Sequence, residues 1–338
     1  MAAAKVNVRH TPARAVFESV GQSGTPGTRP LVSVVLPLHN EEGTLEELHK
    51  RLDAVFAPLT YDAEFIFVND GSTDRSVFVL EQLVAADPRV KFVSLSRNFG
   101  HQYALTAGLD YASGDAVISM DSDLQHPPEL IPQMLRHWET GFPVVYTVRR
   151  ATRDLSFFKR ITARGFYAVM SAMSPFPVQP NTSDFRLIDR RVCDALKQSR
   201  ERERFYRGMI PWVGFKQKAL EFEADARFAG RPSYTLSKMV RFSFNGLLGY
   251  SYLPVYVLLT FIAVFVLAAV LYGGLVLYQR FVTGQSLPGQ ASILLTMILI
   301  GIAQLLATCV TAVYAYKAYH ESKARPLYIV DEVRGFDR

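Results

Sequence analysis

The stretch DAVISMDSDLQHPPEL (residues 115–130) runs from an apolar segment straight into two carboxylates two positions apart, Asp121 and Asp123. Its first half has the continuous apolar character of a buried strand. Side chains at i and i+2 project to the same side of an extended chain. Both acids therefore face one region and repel each other there. A hard cation, held by one or two carboxylates and completed by substrate phosphates, resolves that repulsion. A lone D-x-D occurs in many surface turns. Here the apolar run before it and Pro127-Pro128 behind it place it between a strand and a helix. Asp121 and Asp123 are thus candidate ligands for Mg2+ or Mn2+.

Outward from this point, apolar strand-like runs alternate with helix-like ones from residue 31 to about residue 147. Strands are expected over residues 31–37, 63–70, 90–96, 115–121 and 143–148, and helices over 44–56, 73–86, 103–112 and 128–140. Val/Ile/Phe-rich strands interleaved with helices form a mostly parallel sheet covered on both faces. Ligands of such sheets bind beyond the carboxyl ends of the strands. His39-Asn40-Glu41, Asn69-Asp70, Arg97-Asn98 and the Asp121/Asp123 pair all fall at those ends. Gly71 permits a sharp turn after Asp70, and Ser72 or Thr73 is expected to cap the helix that follows.

The second half has a different character. Residues 253–278 and 291–316 are two runs of 26 residues without a charge. At about 1.5 Å per residue each reaches about 39 Å, more than the ~30 Å hydrocarbon core of a bilayer. A pair of buried core helices is the soluble alternative. The connection between the runs holds one basic residue, Arg280, whereas the outer flanks carry Lys238, Arg241, Lys317, Lys323 and Arg325. The positive-inside rule then puts both chain ends in the cytosol. Residues 155–173 and 236–250 mix aromatic and basic residues, as helices lying at a membrane surface do. The first 30 residues lack the apolar run of a signal peptide and read as a flexible tail. The expected organisation is a tail (1–30), a cytosolic catalytic domain (31–235), an interfacial helix (236–252), a transmembrane hairpin (253–316) and a cytosolic C-terminal tail (317–338).

Other chemistries are excluded by their missing patterns. Neither G-x-G-x-x-G after the first strand nor G-x-x-x-x-G-K-[ST] is present, nor H-E-x-x-H, nor G-x-S-x-G. The two cysteines, Cys193 and Cys309, build neither a disulfide framework nor a metal site. A net charge of +6 without zinc-finger or RNP patterns argues for an anionic lipid surface or a phosphate substrate, not nucleic acid. The basic set Arg149, Arg150, Arg153, Lys159 and Arg160 lies between the sheet and the first surface helix, where guanidinium groups grip phosphate in pairs of hydrogen bonds.

With these residues assembled, the chain resembles the polyisoprenyl-phosphate glycosyltransferases of glycosyltransferase family 2, relatives of dolichol-phosphate mannose synthase. VVLPLHNEEGTL, FVNDGSTD, LSRNFGHQYALTAGLDYASGDAVISMDSDLQHPPEL, NTSDFRLIDRRV and KARPLYIV match in order, over about residues 31–330. The resemblance implies an α/β GT-A nucleotide-diphosphosugar fold, a nucleotide-sugar donor, a polyprenyl-phosphate acceptor, a bacterial inner-membrane location and a homotetramer. It implies that Pro37, His39, Glu41 and Asp70 line the base and ribose pocket, with Asp121 beside them. Asp121 and Asp123 would hold the cation on the diphosphate, and Gln125 would sit by the donor sugar. Asp184 would act at the reacting centre with Asp123 and Gln125. Arg149, Arg150, Lys159 and Arg186 would take the acceptor phosphate. Two departures stand out: His126 replaces an acid of D-x-D-L-Q-D-P-P, and AVYAYK (residues 312–317) replaces a Gly-Glu-Tyr-x-Gly-Arg pattern.

The reaction so implied is a one-step inverting transfer of a hexose, with a uridine-linked donor such as UDP-glucose favoured. A guanosine-linked mannose donor, a processive polysaccharide synthase and a non-catalytic nucleotide-sugar sensor are the alternatives.

Overall fold

A computed structural model describes residues 29–149, 182–202, 204–222, 253–283 and 289–336. The expected surface helices at 155–173 and 236–250, together with Arg150 and Lys159, lie outside the described residues.

The core is an eight-stranded mixed sheet in the order β7-β5-β6-β4-β1-β2-β3-β8. Strands β1 (Leu31–Leu38), β2 (Asp62–Asn69), β3 (Val90–Leu95) and β4 (Ala116–Ser119) are parallel. Strands β5 (Val144–Arg149) and β7 (Gln217–Phe222) are parallel to each other, and β6 (Thr182–Asp189) runs antiparallel to both β4 and β5. The parallel half and its helices agree with the sequence to within three residues at each boundary. Strands β6, β7 and β8 (Val330–Arg334) carry charged residues throughout and are not legible as apolar runs.

Helices cover both faces. On one, α1 (Leu45–Phe56) buries Leu45, Leu48, Leu52, Val55 and Phe56, the stripe of an amphipathic helix. Its buried face packs with α2 (Ser76–Ala86) and α4 (Ile131–Glu139) over Val32, Val34, Leu36, Phe65 and Phe67. On the other, α3 (His101–Tyr111), α5 (Arg190–Gln198) and α6 (Tyr206–Trp212) close over Val35, Ile66, Val68 and Val117. Helix α3 lies so close to β1 that a Cβ on Gly108 would stand 2.1 Å from Val35 Cγ1. Before α2, the side chain that binds a helix-end N–H is Asp74, whose Oδ1 accepts from Ser76 N; Ser72 and Thr73 instead bond to Asn40. Caps were expected from Ser72 or Thr73, but the helix begins three residues later than its sequence pattern suggests.

The two apolar runs form α7 (Leu253–Tyr278), followed by a π-helical turn Gln279–Thr283, and α8 (Gly289–Ser322). Both are long and apolar enough to cross a membrane, with mean hydropathy 2.5 over Leu258–Leu275 and 2.1 over Thr296–Ser322. Neither window is buried in the protein, so they are not core helices. Beyond α8 the chain does not trail away as a tail. Val330–Arg334 joins the sheet antiparallel to β3, with Val93 opposite Val333, and Ser96 N donates to Ile329 O at 3.0 Å.

One buried acid knits the strand starts together. Glu64 on β2 is 2% exposed. It accepts from Lys91 Nζ at 2.7 Å, from Ser33 Oγ, and from the N–H and hydroxyl of Ser113 at 2.8 and 2.9 Å. Burial alone would raise its pKa, but Lys91, Ser33 and Ser113 outweigh burial and lower it. Its contribution is thus present above the unfolded value of about 4.3 and lost as the pH falls through the lower folded value. Glu64→Ala should cost about 2–3 kcal/mol at neutral pH, because Ser33 and Lys91 lose a charged acceptor. Thermal unfolding in detergent should show that gap to wild type, and the gap should shrink at pH below about 4.

Candidate active site

Every loop at the C-terminal edge of the parallel strands is tied to its neighbour by a side chain. His39 Nδ1 lies 2.9 Å from Asp70 O. Asn40, at φ 59, donates its N–H to Ser72 Oγ and accepts from Thr73 N. The Asp70 carboxylate is buried and accepts from Phe99 N at 2.7 Å and Gly100 N at 2.9 Å. Gly71 has φ 65, and a Cβ there would stand 2.4 Å from Asn98 N. Asp70 and Gly71 together draw the loop after β3 against the loop after β2. Glu41 donates its N–H to Ser76 Oγ, and its carboxylate takes the Thr44 hydroxyl at 3.3 Å. Ser122 Oγ donates to Pro37 O at 3.0 Å, pinning the D-x-D turn to the end of β1.

The turn itself is tight. Gln125 N donates to Asp123 Oδ1 at 3.1 Å, and Leu124 has φ 60. Asp121 Oδ1 is buried with no hydrogen-bond partner among the described residues. Among those residues no three His, Cys, Asp or Glu side chains form a ready metal cage. A buried carboxylate oxygen without a hydrogen bond, beside a second acid, fits a cation whose remaining ligands come from a diphosphate, as Mg2+ and Mn2+ sites commonly do.

Strand β6 brings the third acid. Because it runs antiparallel to β4, with Arg186 opposite Ser119, its first residues reach the edge where β4 ends. Ser119 Oγ donates to Asp184 O at 2.7 Å. The Asp184 carboxylate receives Arg207 Nε at 2.9 Å and Arg207 NH2 at 3.1 Å, a bidentate pair. His101 Nε2 lies 3.5 Å from Asp184 Oδ2 and 3.5 Å from Asp121 Oδ1. Desolvation opposes protonation of that ring, but the charges of Asp121 and Asp184 prevail and push its pKa up to about 9. Burial would raise the Asp184 pKa, yet Arg207 and then His101 hold it well below the usual carboxylate range. Asp184 is an anion here, and a poor proton acceptor.

Arg186 is 5% exposed and donates NH2 to Ser183 O at 2.7 Å. Burial lowers its pKa to about 10, so it stays charged at neutral pH. With Arg207, Tyr146, Phe215 and Gln217 it lines a cavity of about 310 Å³. Arg149 is exposed at the end of β5, paired in register with Phe222.

His126 takes a defined structural part. The Asp121 N–H donates to its Nδ1 at 3.1 Å, so Nε2 carries the proton and points to Ser183 Oγ at 2.6 Å. The ring stacks on Phe185 at 5.4 Å. It thereby joins the D-x-D turn to the strand that carries Asp184. An ionised aspartate at this position has no proton to give Ser183.

The model of the family "Glycosyl transferase family 2" matches residues 33–197. The glycosyltransferase YkcC of Bacillus subtilis is 42% identical over 90% of this chain and 94% of its own length. This chain belongs to glycosyltransferase family 2. A second relative, the bactoprenol glucosyl transferase of Shigella phage SfV, is 35% identical over 88% of this chain and 97% of its own. Among solved structures, a glucosyl-3-phosphoglycerate synthase from Mycobacterium tuberculosis, in complex with Mn2+, UDP-glucose and phosphoglyceric acid, matches at 21% identity. Its TM-score is 0.44, over 65% of this chain and 78% of that one. The mixed sheet with helices on both faces is the α/β architecture expected from the sequence.

Two residues of this candidate site are not singled out by the sequence of the glycosyltransferase. His101 opens α3 within RNFGH, at a strand end, where its position was the available signal. Arg207 sits in the charge-dense segment 200–207, which reads as a solvated surface.

Arg207→Gln should lower turnover by about 100-fold, the scale of misplacing a group at a reacting centre. Arg207→Lys should recover only part, since an ammonium cannot form the bidentate pair. Steady-state kinetics with circular dichroism as a folding check will decide. His126→Ala should raise the half-saturating Mn2+ concentration by about 10–100-fold, as losses behind metal ligands do, and a calorimetric Mn2+ titration with nucleoside diphosphate present reads this directly.

Proposed function

We propose that this glycosyltransferase moves one sugar from a nucleoside-diphosphate sugar, a UDP-hexose such as UDP-glucose, to a polyprenyl phosphate at the cytosolic face of a membrane. The product is a polyprenyl-phosphate monosaccharide of inverted anomeric configuration. The observation that carries the proposal is the cavity lined by Arg186 and by Arg207, which grips the Asp184 carboxylate, in a chain with two exposed apolar helices of membrane-spanning length. Relatives named bactoprenol glucosyl transferases, from Shigella phage SfV and, as a prophage homolog, Escherichia coli, support the lipid acceptor.

In this reading Pro37, His39, Glu41 and Asp70 shape the edge that receives the nucleotide. Their backbone ties set the loops; the Asp70 carboxylate acts by fixing Phe99 and Gly100. Asp121 and Asp123 would hold Mg2+ or Mn2+. When bound, the cation supplies positive charge for the leaving diphosphate. Gln125 closes the turn that aims Asp123. Arg186 and Arg207 receive the acceptor phosphate from the cavity; Arg149, Arg150 and Lys159 are assigned to the same phosphate by the family resemblance. A phosphate monoester, with a second pKa of about 6, is already largely ionised at neutral pH. The phosphate oxygen therefore attacks the anomeric carbon without surrendering a proton to the enzyme. Asp184, kept anionic by Arg207, lies where positive charge grows on that carbon and stabilises it electrostatically. Attack from the face opposite the leaving diphosphate inverts the configuration.

The direct test incubates detergent-solubilised protein with undecaprenyl phosphate, Mg2+ or Mn2+ and a panel of nucleotide sugars, and then weighs the lipid by mass spectrometry. A lipid heavier by one hexose residue, formed with a UDP-hexose, is the expected result. Asp121→Ala should reduce its rate by about 100-fold or more. A wild-type protein that binds nucleotide yet glycosylates no polyprenyl phosphate from any donor would refute the assignment.

A further inference from the structure

A second cavity, of about 610 Å³, lies away from the candidate site, where the end of α8 meets the catalytic domain. Its walls include Arg200 and Arg202, Asp110 from the far end of α3, and Glu321, Arg325 and Tyr328 from the chain just after the apolar helix. The charges are not balanced. Arg200 is matched to Asp110 through bonds of 2.7 and 3.0 Å, and the same carboxylate takes the Tyr328 hydroxyl at 2.8 Å. Glu321 accepts the backbone N–H of Arg202 at 2.8 Å. The Arg202 side chain donates NH2 to Arg325 O at 3.1 Å, while its Nε is buried with no hydrogen-bond partner among the described residues. The Arg325 side chain is exposed at the rim. Besides Arg200, two guanidinium groups thus adjoin the cavity, and one of them has a desolvated N–H to satisfy. Such an N–H costs about 1–3 kcal/mol when left unmet.

Depth along α8 selects the ligand. The last uncharged run of the helix ends at Tyr316, and Lys317 is the first charge. Tyr316, Tyr319 and His320 cluster there with ring centroids 4.3 and 6.1 Å apart, and Lys323 Nζ stands 4.2 Å over the Tyr319 ring. Aromatic and basic residues so placed mark the boundary between hydrocarbon and headgroups. Glu321 lies four residues past Lys317, about 6 Å along the axis. A headgroup layer is about 5–8 Å deep on each side of the hydrocarbon core. The cavity therefore opens at the level of lipid phosphates.

We propose that this cavity binds the phosphate of an anionic phospholipid headgroup, through Arg202 and Arg325. The inference rests on the reading that α7 and α8 span a bilayer. It concerns a bulk lipid, distinct from the acceptor whose phosphate enters beside Asp184. Occupancy would fasten the domain to the membrane at α3, whose other end carries His101.

The test places full-length protein in nanodiscs of phosphatidylcholine with a graded fraction of phosphatidylglycerol. Co-released phosphatidylglycerol is counted by native mass spectrometry, and the thermal midpoint is followed. Wild type should retain phosphatidylglycerol and gain stability with its fraction. The Arg202→Gln/Arg325→Gln double variant should lose retention by about tenfold, the scale of a lost charge-assisted hydrogen bond. Arg325→Gln alone, which removes an exposed side chain, guards against misfolding and should lose part of it. Lys50→Gln, on an exposed face of α1, should lose none. Equal retention by wild type and both cavity variants would overturn the proposal. So would millimolar inorganic phosphate that stabilises lipid-neutral discs to the same extent and displaces the lipid, since the ligand would then be a soluble anion. Sugar transfer to polyprenyl phosphate, assayed in the same discs, separates the two readings. Transfer without retention removes the lipid site alone, and retention without transfer removes the proposed reaction alone.

Discussion

Negative charge concentrated at one sheet edge is the constraint around which this protein is arranged. Asp121, Asp123 and Asp184 arrive there on two strands, and bringing them together in a partly buried site costs free energy unless cations join them. The chain supplies three of its own, of which Arg186, 3.9 Å from Asp184, is the outermost. Arg207 grips Asp184 through both oxygens, and His101 stands between Asp184 and Asp121 at 3.5 Å from each. The Asp121 oxygen that His101 faces at 3.5 Å has no hydrogen-bond partner among the described residues. The neutralisation is complete at Asp184 and incomplete at the D-x-D turn. On the proposed reading that inequality divides the labour of the site: a fixed anion on one side, and on the other a place for a cation that would arrive with its substrate.

Antiparallel insertion of β6 is what makes this division possible. A fifth parallel strand would bring its C-terminal end to the edge. Running the other way, β6 presents its first residues, Thr182 to Asp184, next to the end of β4. The strand is then held from both sides. Ser119 reaches the Asp184 carbonyl, and His126 reaches the Ser183 hydroxyl from the D-x-D turn. Asp184 and the D-x-D turn are separated by some sixty residues of sequence, yet two imidazole rings join their segments, His126 through Ser183 and His101 through the two acids themselves.

The sequence discloses the parallel half of the fold because its strands are buried on both faces. VSVVLP and FIFV announce themselves by apolar content. Strand β7, with burial alternating along QKALEF, and β8, VDEVR, are edge strands carrying charges, so no hydrophobic run marks them. For the site, the strand-end rule locates His39, Asp70 and the D-x-D turn, because position on a sheet edge follows from topology. It cannot show how a carboxylate is used. Asp70, read as a nucleotide contact, spends both oxygens on Phe99 and Gly100. Arg207 escapes because its charged neighbours look alike in sequence, and what sets it apart is a partner, Asp184, that is remote in sequence.

The closing strand has a consequence for how the protein is made. Residues 330–334 pair with β3, yet they follow both apolar helices in the chain. While the ribosome works through α7 and α8, β3 is an open edge with unpaired N–H and C=O groups, the kind of edge that recruits foreign strands. Its own partner arrives only after the helical hairpin has been synthesised. The order of residues thus makes completion of the soluble sheet the last event in assembly, downstream of the hairpin's emergence. A chain released before that point carries its catalytic half with one seam unsewn.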